Sequence, residues 1–243
     1  MKAAEAFNDL RWFRAMHHGA GMETNTRNLQ FAPQWLYFPR WRKSMSNRSP
    51  IMDRQPWMTF RAIDKLKMVL HGEESVFEWG SGGSTLFFRD FTRNVVSIEH
   101  SEEFHSLLQR QIGIEAGKHQ YLLIPPVLSA SDAGDYRSSH EQGRSFQSYV
   151  HSIDAYQDES FDLISVDGRA RNACIRQAIP KLKPHGVLIL DNSERLDYTT
   201  AHATVLAHWS KFSFAGCGPY NRYFWETTFF IKPYHEAASQ TPG

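Results

Sequence analysis

A glycine-rich turn with acidic side chains on both sides is the part of the sequence best suited to chemistry. Residues 76–88, VFEWGSGGSTLFF, place three glycines and two serines behind a short apolar run. Glycines let backbone N–H groups approach a ligand closely, and a helix beginning at such a turn adds the positive end of its dipole. Glu99 follows 17 residues after Gly82, where an acid at the end of a second strand can accept the hydroxyls of a ribose. The pattern predicts a site for a nucleoside-bearing cofactor.

Two classes of cofactor share this layout, and the sequence separates them. A dinucleotide fingerprint requires G-x-G-x-x-G, but Gly80 and Gly82 are followed by Thr85 where the third glycine belongs. Glu78 would also bring a carboxylate toward a pyrophosphate, whereas it suits a cofactor that carries an ammonium group. The pattern therefore disfavours a dinucleotide and keeps an NAD-dependent enzyme only as an alternative.

The elements that must position these residues alternate regularly from residue 57 onward. Short apolar runs predict parallel strands at 76–79, 95–99, 121–124, 161–167 and 186–192, and an antiparallel pair within 211–216 and 222–232 at one edge. Segments of helical period lie at 57–70, 84–91, from Ser101 onward, at about 171–183 and at about 198–210. The prediction is an α/β fold: a seven-stranded, mostly parallel, doubly wound sheet with an antiparallel C-terminal edge strand and an N-terminal extension.

The N-terminal part of the chain is basic and rich in aromatic residues. Residues 1–67 hold 12 Lys/Arg against 5 Asp/Glu, although the whole chain has a formal charge of +1. We predict an N-terminal extension at 1–56, a cofactor-binding domain at 57–235 and a tail at 236–243. The run YFPRWRK at 37–43 either forms a surface for an anionic substrate, nucleic acid or lipid headgroups, or packs its aromatics on the domain and leaves its arginines solvated.

Composition excludes several other classes of protein. No apolar run approaches the roughly 20 residues that cross a bilayer, and charges interrupt the start of the chain where a signal peptide needs an apolar segment. We therefore expect a cytoplasmic protein without a membrane span. Cys174 and Cys217 have neither the number nor the spacing of a disulfide framework or a zinc site, which predicts buried, reduced thiols.

The motifs together resemble those of class I S-adenosylmethionine-dependent methyltransferases, over about residues 57–233. The resemblance rests on E-x-G-x-G-G at 78–83, on Glu99, on the FDLISVDG strand and on the terminal antiparallel pair. It implies S-adenosylmethionine as cofactor, with Glu78 and the glycine turn near the methionine part and Glu99 on the ribose. The predicted cofactor-binding residues are Glu78, Gly80, Ser81, Gly82, Gly83, Ser84, Thr85, Glu99, His100 and Asp167. Ser131 or Asp132 is the candidate for the adenine contact.

A narrower resemblance concerns the ends of two later strands. Asp167, Asp191 and Asn192 fall where metal-dependent, catechol-type O-methyltransferases carry their ligands, which implies Mg²⁺ or another divalent cation. The alternative is that Asp167 borders the cofactor while Asp191 and Asn192 only form the turn to Ser193. The sequence departs from that family after Asp167, because residues 168–171, GRAR, lack the lysine expected as a base.

Other side chains are candidates for catalysis and for substrate binding. Asp167 and His140, which lies in the long polar segment 127–145, are the predicted catalytic residues. Arg169 and Arg171 either clamp a substrate carboxylate or phosphate or are solvated charges at a helix end.

The preferred function is methyl transfer to an oxygen of a small or saccharide-like acceptor. The basic residues are also compatible with an anionic acceptor. Nitrogen acceptors stay open. The alternatives are an NAD-dependent enzyme and a non-catalytic module that binds RNA or another partner, and a homo-oligomer is compatible with each.

Overall fold

The computed structural model describes Asp9, Phe13 and residues 34–112, 118–129, 134–139, 141–198 and 206–234. Its strands are β1 (Ser75–Trp79), β2 (Asn94–Glu99), β3 (His119–Leu123), β4 (Phe161–Val166), β5 (Leu182–Asp191), β6 (Ser210–Gly216) and β7 (Trp225–Ile231). Its α-helices are α1 (Phe38–Ser44), α2 (Pro50–Asp53), α3 (Phe60–Val69), α4 (Gly83–Phe91), α5 (Glu102–Ile112), α6 (Gln147–Val150) and α7 (Arg171–Lys181). Short 3₁₀ helices lie at Gln34–Tyr37, Gly134–Tyr136 and His151–Ala155, and the short strands Val127–Leu128 and Arg144–Ser145 pair with each other.

The seven strands form one sheet in the order β3-β2-β1-β4-β5-β7-β6. The first five are parallel, and β7 pairs antiparallel with both β5 and β6. The apolar runs at β1, β4 and β5 are buried because helices cover both faces of a parallel sheet. This confirms the predicted fold class, including the antiparallel strands at the C-terminal edge.

Strand order places the carboxyl ends of β1, β2, β4 and β5 at one edge of the sheet. The chain leaves β1 toward β2 on one side, and β4 pairs with β1 on the other. Such a reversal opens a crevice beyond the strand ends, where ligands bind in open α/β sheets. The glycine turn, Glu99, Asp167 and Asp191 all lie at this edge.

Several predicted boundaries differ from the structure, and two of them, both at helices, have identifiable reasons. The first helix begins at Phe60 and not at 57, because Thr59 is held by neighbouring strands: its N–H donates to Thr227 Oγ1 at 3.2 Å and its hydroxyl donates to the Phe214 carbonyl at 2.8 Å. The helix at 171–183 ends at Lys181, and Pro184 lies within β5. The β4–β5 register shifts there, and a proline is tolerated at such an irregularity because it lacks only a ladder hydrogen bond.

The helix predicted at 198–210 falls largely outside the described residues. Of its last part, residues 206–209 form a turn in which the Trp209 N–H donates to the Leu206 carbonyl at 3.1 Å. Ser210 already belongs to β6, where it pairs with Ile231. Residues 206–210 are therefore not helical.

The described part of the basic N-terminal segment packs on the domain. Trp41 is fully buried and its indole N–H donates to the Asn221 carbonyl at 2.8 Å. Gln34 is also fully buried, and its side-chain oxygen accepts from the Cys217 N–H at 3.0 Å. Residues 34–44 thus share a core with α3 and the C-terminal strands, while Arg40 stays partly solvated beside Asp64.

Both cysteines, Cys174 and Cys217, are buried and unbonded to each other, as predicted. Over the described ranges, no helix has the length and apolar character to cross a membrane.

Candidate functional site

A cavity of about 1010 Å³ opens at the carboxyl ends of β1, β2 and β4. Its volume is large enough for a nucleoside-bearing cofactor. Of the predicted cofactor residues, the structure brings five together in its wall: Gly80, Ser81, Glu99, His100 and Asp167. The predicted role of each toward a bound cofactor stays a prediction.

Among the glycines of the turn, Gly80 lies at a position where the backbone conformation requires a glycine. Its φ of +92° is a left-handed conformation that side chains disfavour. A Cβ on Gly80 would also lie 2.8 Å from the backbone of Asp167 and Gly168. The turn after β1 and the turn after β4 therefore touch through bare backbone, which forms the floor of the cavity.

The other two glycines of the turn have different surroundings. The backbone of Gly82 is extended, and a Cβ there would meet nothing within 4 Å. A Cβ on Gly83 would overlap the carbonyl oxygens of Pro50 and Gln55. Gly83 thus allows the segment after α2 to pack on α4, and neither glycine lines the cavity.

Glu78 is fully buried beneath the turn, where three hydroxyl groups donate to its carboxylate. Ser84 Oγ lies 2.8 Å away and Ser97 Oγ 2.6 Å away, and Thr85 donates the third hydrogen bond. Thr85 Oγ1 in turn accepts from the Gly82 N–H at 3.0 Å, which caps α4. In this arrangement the side chains of Ser84 and Thr85 point at Glu78 and hold the shape of the turn.

Burial raises the pKa of Glu78 to about 7, although the three hydroxyl groups partly oppose that rise. Between its ordinary value of 4.5 and about 7, the native protein binds more protons at this site than the unfolded chain does. The free energy of unfolding therefore falls as the pH rises through this range.

We expect Glu78→Gln to flatten this dependence of stability on pH. Because each pKa unit corresponds to about 1.4 kcal/mol, the wild type should lose about 2 kcal/mol of unfolding free energy between pH 5 and pH 7 through Glu78, and the variant should not. Urea unfolding at the two pH values measures the difference, and Glu73→Gln, at an exposed position, is the matched control. Equal slopes for Glu78→Gln and the wild type would contradict this interpretation.

Glu99 ends β2 with its side chain only 3% exposed at the cavity wall. One carboxylate oxygen accepts from the His100 and Ser101 N–H groups at 2.8 and 2.9 Å, and the other accepts from the Ser81 hydroxyl at 2.6 Å. Burial alone would raise the pKa of Glu99, but hydrogen bonds lower it below its usual value, and the largest of these effects comes from the His100 side chain, whose Nδ1 lies 2.9 Å from Glu99 Oε1. Glu99 is therefore an ionised acceptor at neutral pH.

A ligand hydroxyl can reach Glu99 by replacing one of these donors. The Ser81 hydroxyl lies 2.8 Å from Tyr121 Oη, so it has a second partner if it leaves the carboxylate. The Ser81 hydroxyl can therefore turn from Glu99 to Tyr121 and leave the carboxylate to a ribose hydroxyl, at the place where the sequence predicts a ribose.

Arg171 ties the ends of β4 and β5 together from a buried position, with 9% of its side chain exposed. Its guanidinium donates to Asp167 Oδ1 at 2.7 Å, to the Asp191 carbonyl at 2.5 Å and to the Gly168 carbonyl at 3.2 Å. These contacts do not fit the interpretation of Arg171 as a substrate clamp. Burial raises the pKa of Asp167, and the charge of Arg171 opposes that rise.

Asp191 and Asn192 line a small cavity of about 150 Å³ together with Asp167, Asn221, Tyr223, Trp225 and Trp57. Asp191 Oδ1 accepts from the Trp225 indole at 2.9 Å and from the Thr227 hydroxyl at 2.5 Å. Burial and, next, the nearby charge of Asp167 raise the pKa of Asp191 to about 8.

This donor set does not fit a divalent cation as it is arranged. One oxygen of each of the two carboxylates is already bonded, and the buried guanidinium of Arg171 supplies the positive charge that a metal would bring. The assignment of Asp167, Asp191 and Asn192 as metal ligands stays a prediction, and no step below passes through a metal.

Several residues of the cavity wall were not found from the sequence: Trp57, Ser101, Glu102, Phe104, Pro125, Pro126, Glu141, Arg144 and Gly168. Arg169, a candidate for substrate binding from the sequence, also lines the cavity. Pro125 and Pro126 carried one usable signal, since they directly follow β3 and so reach the same edge of the sheet. No sequence signal pointed to Trp57, because it precedes the sheet in sequence and reaches the cavity only through tertiary packing.

The long polar segment 127–145 contributes to the wall, and part of it lies outside the described residues. His140, Ser131 and Asp132 fall in that part, so their predicted roles are not placed. Glu141 is described: its Oε1 lies 3.1 Å from His100 Nε2 and 3.4 Å from Arg169 Nε. Glu141 thus joins the end of β2 to the turn after β4 across the cavity.

Comparisons with known proteins give matches of structure. No family model and no curated protein matches the sequence. An O-methyltransferase from Bacillus cereus, solved in complex with SAH, is similar with a TM-score of 0.54 and 13% identity, and the match covers 92% of this chain and 99% of that one. A methyltransferase from Pyrococcus furiosus is 18% identical, with a TM-score of 0.45 and coverage of 72% and 82%.

At 13% identity, the likeness to the Bacillus cereus structure concerns the fold. Nearly the whole of both chains is matched. The chain has the Rossmann-like fold of methyltransferases.

Proposed function

On the premise that the chain has the fold of class I S-adenosylmethionine-dependent methyltransferases, we propose that it transfers a methyl group from S-adenosylmethionine to an oxygen of a small-molecule acceptor. The observation that carries the proposal is the cavity at the switch in strand order, bounded by Gly80 and Ser81 on one side and by Glu99 on the other. A bare backbone turn facing an ionised acid at a strand end suits a nucleoside with a charged amino-acid tail.

The cavity wall has the charges that this cofactor requires. When bound, S-adenosylmethionine supplies an electrophilic methyl group on a sulfonium. Glu99 would accept the ribose hydroxyls, and Asp167 stands near the place of the amino-acid tail, where a carboxylate favours a cation. Glu78 would act indirectly, because its carboxylate is committed to the hydroxyl groups that shape the turn.

Asp167 is the residue we propose to take the proton of the acceptor hydroxyl. Its side chain is 30% exposed and lines both the large cavity and the small one behind it. The rise in its pKa through burial makes it a stronger base than an exposed aspartate, and Arg171 fixes its orientation. Holding the acceptor oxygen in line with the methyl group would supply much of the remaining rate.

Oxygen as the accepting atom is supported by the name of the Bacillus cereus protein, which is an O-methyltransferase. The alternative of an NAD-dependent enzyme requires a pyrophosphate at the turn, and Thr85 stands in place of the third glycine there, with its hydroxyl bonded to Glu78.

Transfer of the label from methyl-labelled S-adenosylmethionine to members of a panel of hydroxylated small molecules, with release of unlabelled S-adenosylhomocysteine, tests the proposal. We expect turnover with some acceptor, and we expect Asp167→Asn to reduce the turnover at saturating S-adenosylmethionine about 100-fold or more, since general bases contribute about 10² to 10⁴ in rate. Calorimetry with NAD⁺ is run in parallel. Binding of NAD⁺ without binding of S-adenosylmethionine would overturn the methyltransferase proposal.

A further inference from the structure

A second cavity, of about 700 Å³, lies beside the cofactor cavity and is strongly basic. Its wall includes five arginines and three acids: Arg137, Arg144, Arg169, Arg171, Arg195, Asp135, Glu141 and Asp197. The volume is in the range of small-molecule sites, so the cavity can hold an organic molecule as well as an ion. We refer to it as the arginine cavity.

The arginine cavity is continuous with the cofactor cavity. Four residues line both: Glu141, Arg144, Gly168 and Arg169. Gly168 and Arg169 directly follow Asp167, the proposed base. A molecule seated among the arginines therefore has one end at the place where the methyl group would be transferred.

The acids of the wall neutralise only part of its positive charge. Asp135 pairs with Arg176, which is outside the wall, at 2.6 Å. Glu141 is shared between His100 and Arg169. Asp197 is exposed at the rim.

Two of the arginines have guanidinium groups to offer to a ligand. Neither Arg144 nor Arg195 forms a side-chain hydrogen bond or ion pair with another residue within the part of the chain that the structure describes. Arg195 lies close enough to Asp167 for its charge to favour the ionised carboxylate. A guanidinium presents a planar set of donors that matches carboxylate and phosphate oxygens in pairs.

We infer that the methyl acceptor carries a phosphate or carboxylate group, which Arg144 and Arg195 bind in the arginine cavity while the acceptor hydroxyl faces Asp167. This inference rests on the proposed function and names its class of substrate. Arg169 stands between the two cavities and contacts Glu141, so it positions the boundary between acceptor and cofactor. Arg171 is excluded from direct binding because its donors are used inside the protein.

Inorganic phosphate is the probe that tests the inference without knowledge of the acceptor. Phosphate is titrated calorimetrically into the full chain at constant ionic strength, with and without S-adenosylhomocysteine. Arg144→Gln and Arg195→Gln are compared with Arg110→Gln, a control on the exposed face of α5. Acetate is titrated in the same way, to separate the carboxylate from the phosphate.

We expect Arg144→Gln and Arg195→Gln each to weaken binding of phosphate or acetate about tenfold or more, and Arg110→Gln to leave it unchanged, as hydrogen bonds to charged groups predict. Affinity for S-adenosylhomocysteine should be unchanged in Arg195→Gln and Arg110→Gln, because neither arginine lines the cofactor cavity. Equal anion affinity in the wild type and in both cavity variants would overturn the inference, as would binding of neither anion. Failure of the wild type to bind S-adenosylhomocysteine would instead overturn the proposed function. The anion titration in the absence of S-adenosylhomocysteine would still report on the arginine cavity.

Discussion

Glu99→Gln should weaken the binding of S-adenosylhomocysteine by about 10- to 100-fold, because hydrogen bonds to a charged group contribute roughly 1.5 to 3 kcal/mol. The substitution keeps the size of the side chain but removes the charge that a ribose would meet. It also places an amide opposite the N–H groups of His100 and Ser101, which donate to the carboxylate in the wild type. Calorimetric titration gives the dissociation constants.

Glu103→Gln is the matched control for Glu99→Gln. Glu103 lies in the first turn of α5, is exposed and is absent from the cavity wall. Thermal unfolding of both variants checks that each is folded before the affinities are compared. A folded Glu99→Gln protein with wild-type affinity would remove Glu99 from the cofactor site.

Gly80→Ala should destabilise the protein far more than Gly72→Ala and should abolish cofactor binding. The two glycines have almost the same φ, +92° and +91°, so both substitutions introduce the same backbone strain of about 1 to 2 kcal/mol. Only at Gly80 would the new Cβ also meet backbone atoms, at 2.8 Å, whereas nothing lies within 4 Å at Gly72. The pair therefore separates strain from steric overlap.

Urea unfolding measures the first effect, and calorimetry with S-adenosylhomocysteine measures the second. We expect Gly80→Ala to lose at least about 2 kcal/mol more than Gly72→Ala, in the range of overpacking at a site that cannot relax. Cofactor binding should be lost because the turns after β1 and β4 must separate to make room for the alanine side chain. Equal losses of stability in the two variants would show that the turns are not in contact.

The sheet could be predicted from the sequence because its strands correspond to short local runs of apolar residues. Apolar residues predominate in β4 and in the second half of β5, and β6 and β7 are close enough in sequence to pair directly. The helix boundary at Lys181 could not be predicted, because Pro184 favours the end of a helix in isolation. Its place within β5 depends on a register shift against β4 that only the assembled sheet determines.

The candidate site was predicted in part, for a similar reason. Gly80 and Glu99 reach the cavity because the ends of parallel strands meet at one edge, which follows from their positions in the sequence. The direction of a buried side chain does not follow in this way. Glu78 has the motif position of a ligand contact, but its carboxylate faces Ser84, Thr85 and Ser97.

The arginines also show that the place of a side chain in the fold does not follow from its place in the sequence. Arg169 and Arg171 are two residues apart and looked equivalent in sequence, yet Arg171 is buried against Asp167 while Arg169 lines both cavities. Arg144 and Arg195 come from distant parts of the chain and carried no motif. Their convergence is a property of the tertiary fold.

A crystal structure of the protein with S-adenosylhomocysteine tests the central claim most directly, because the claim concerns where the cofactor binds. We predict that the ribose hydroxyls lie within hydrogen-bond distance of Glu99 and that the amino-acid tail lies along the backbone of Gly80 and Ser81, with the arginine cavity left open to an acceptor. Electron density for the ligand in the arginine cavity, or a cofactor cavity that stays empty at saturating S-adenosylhomocysteine, would contradict it.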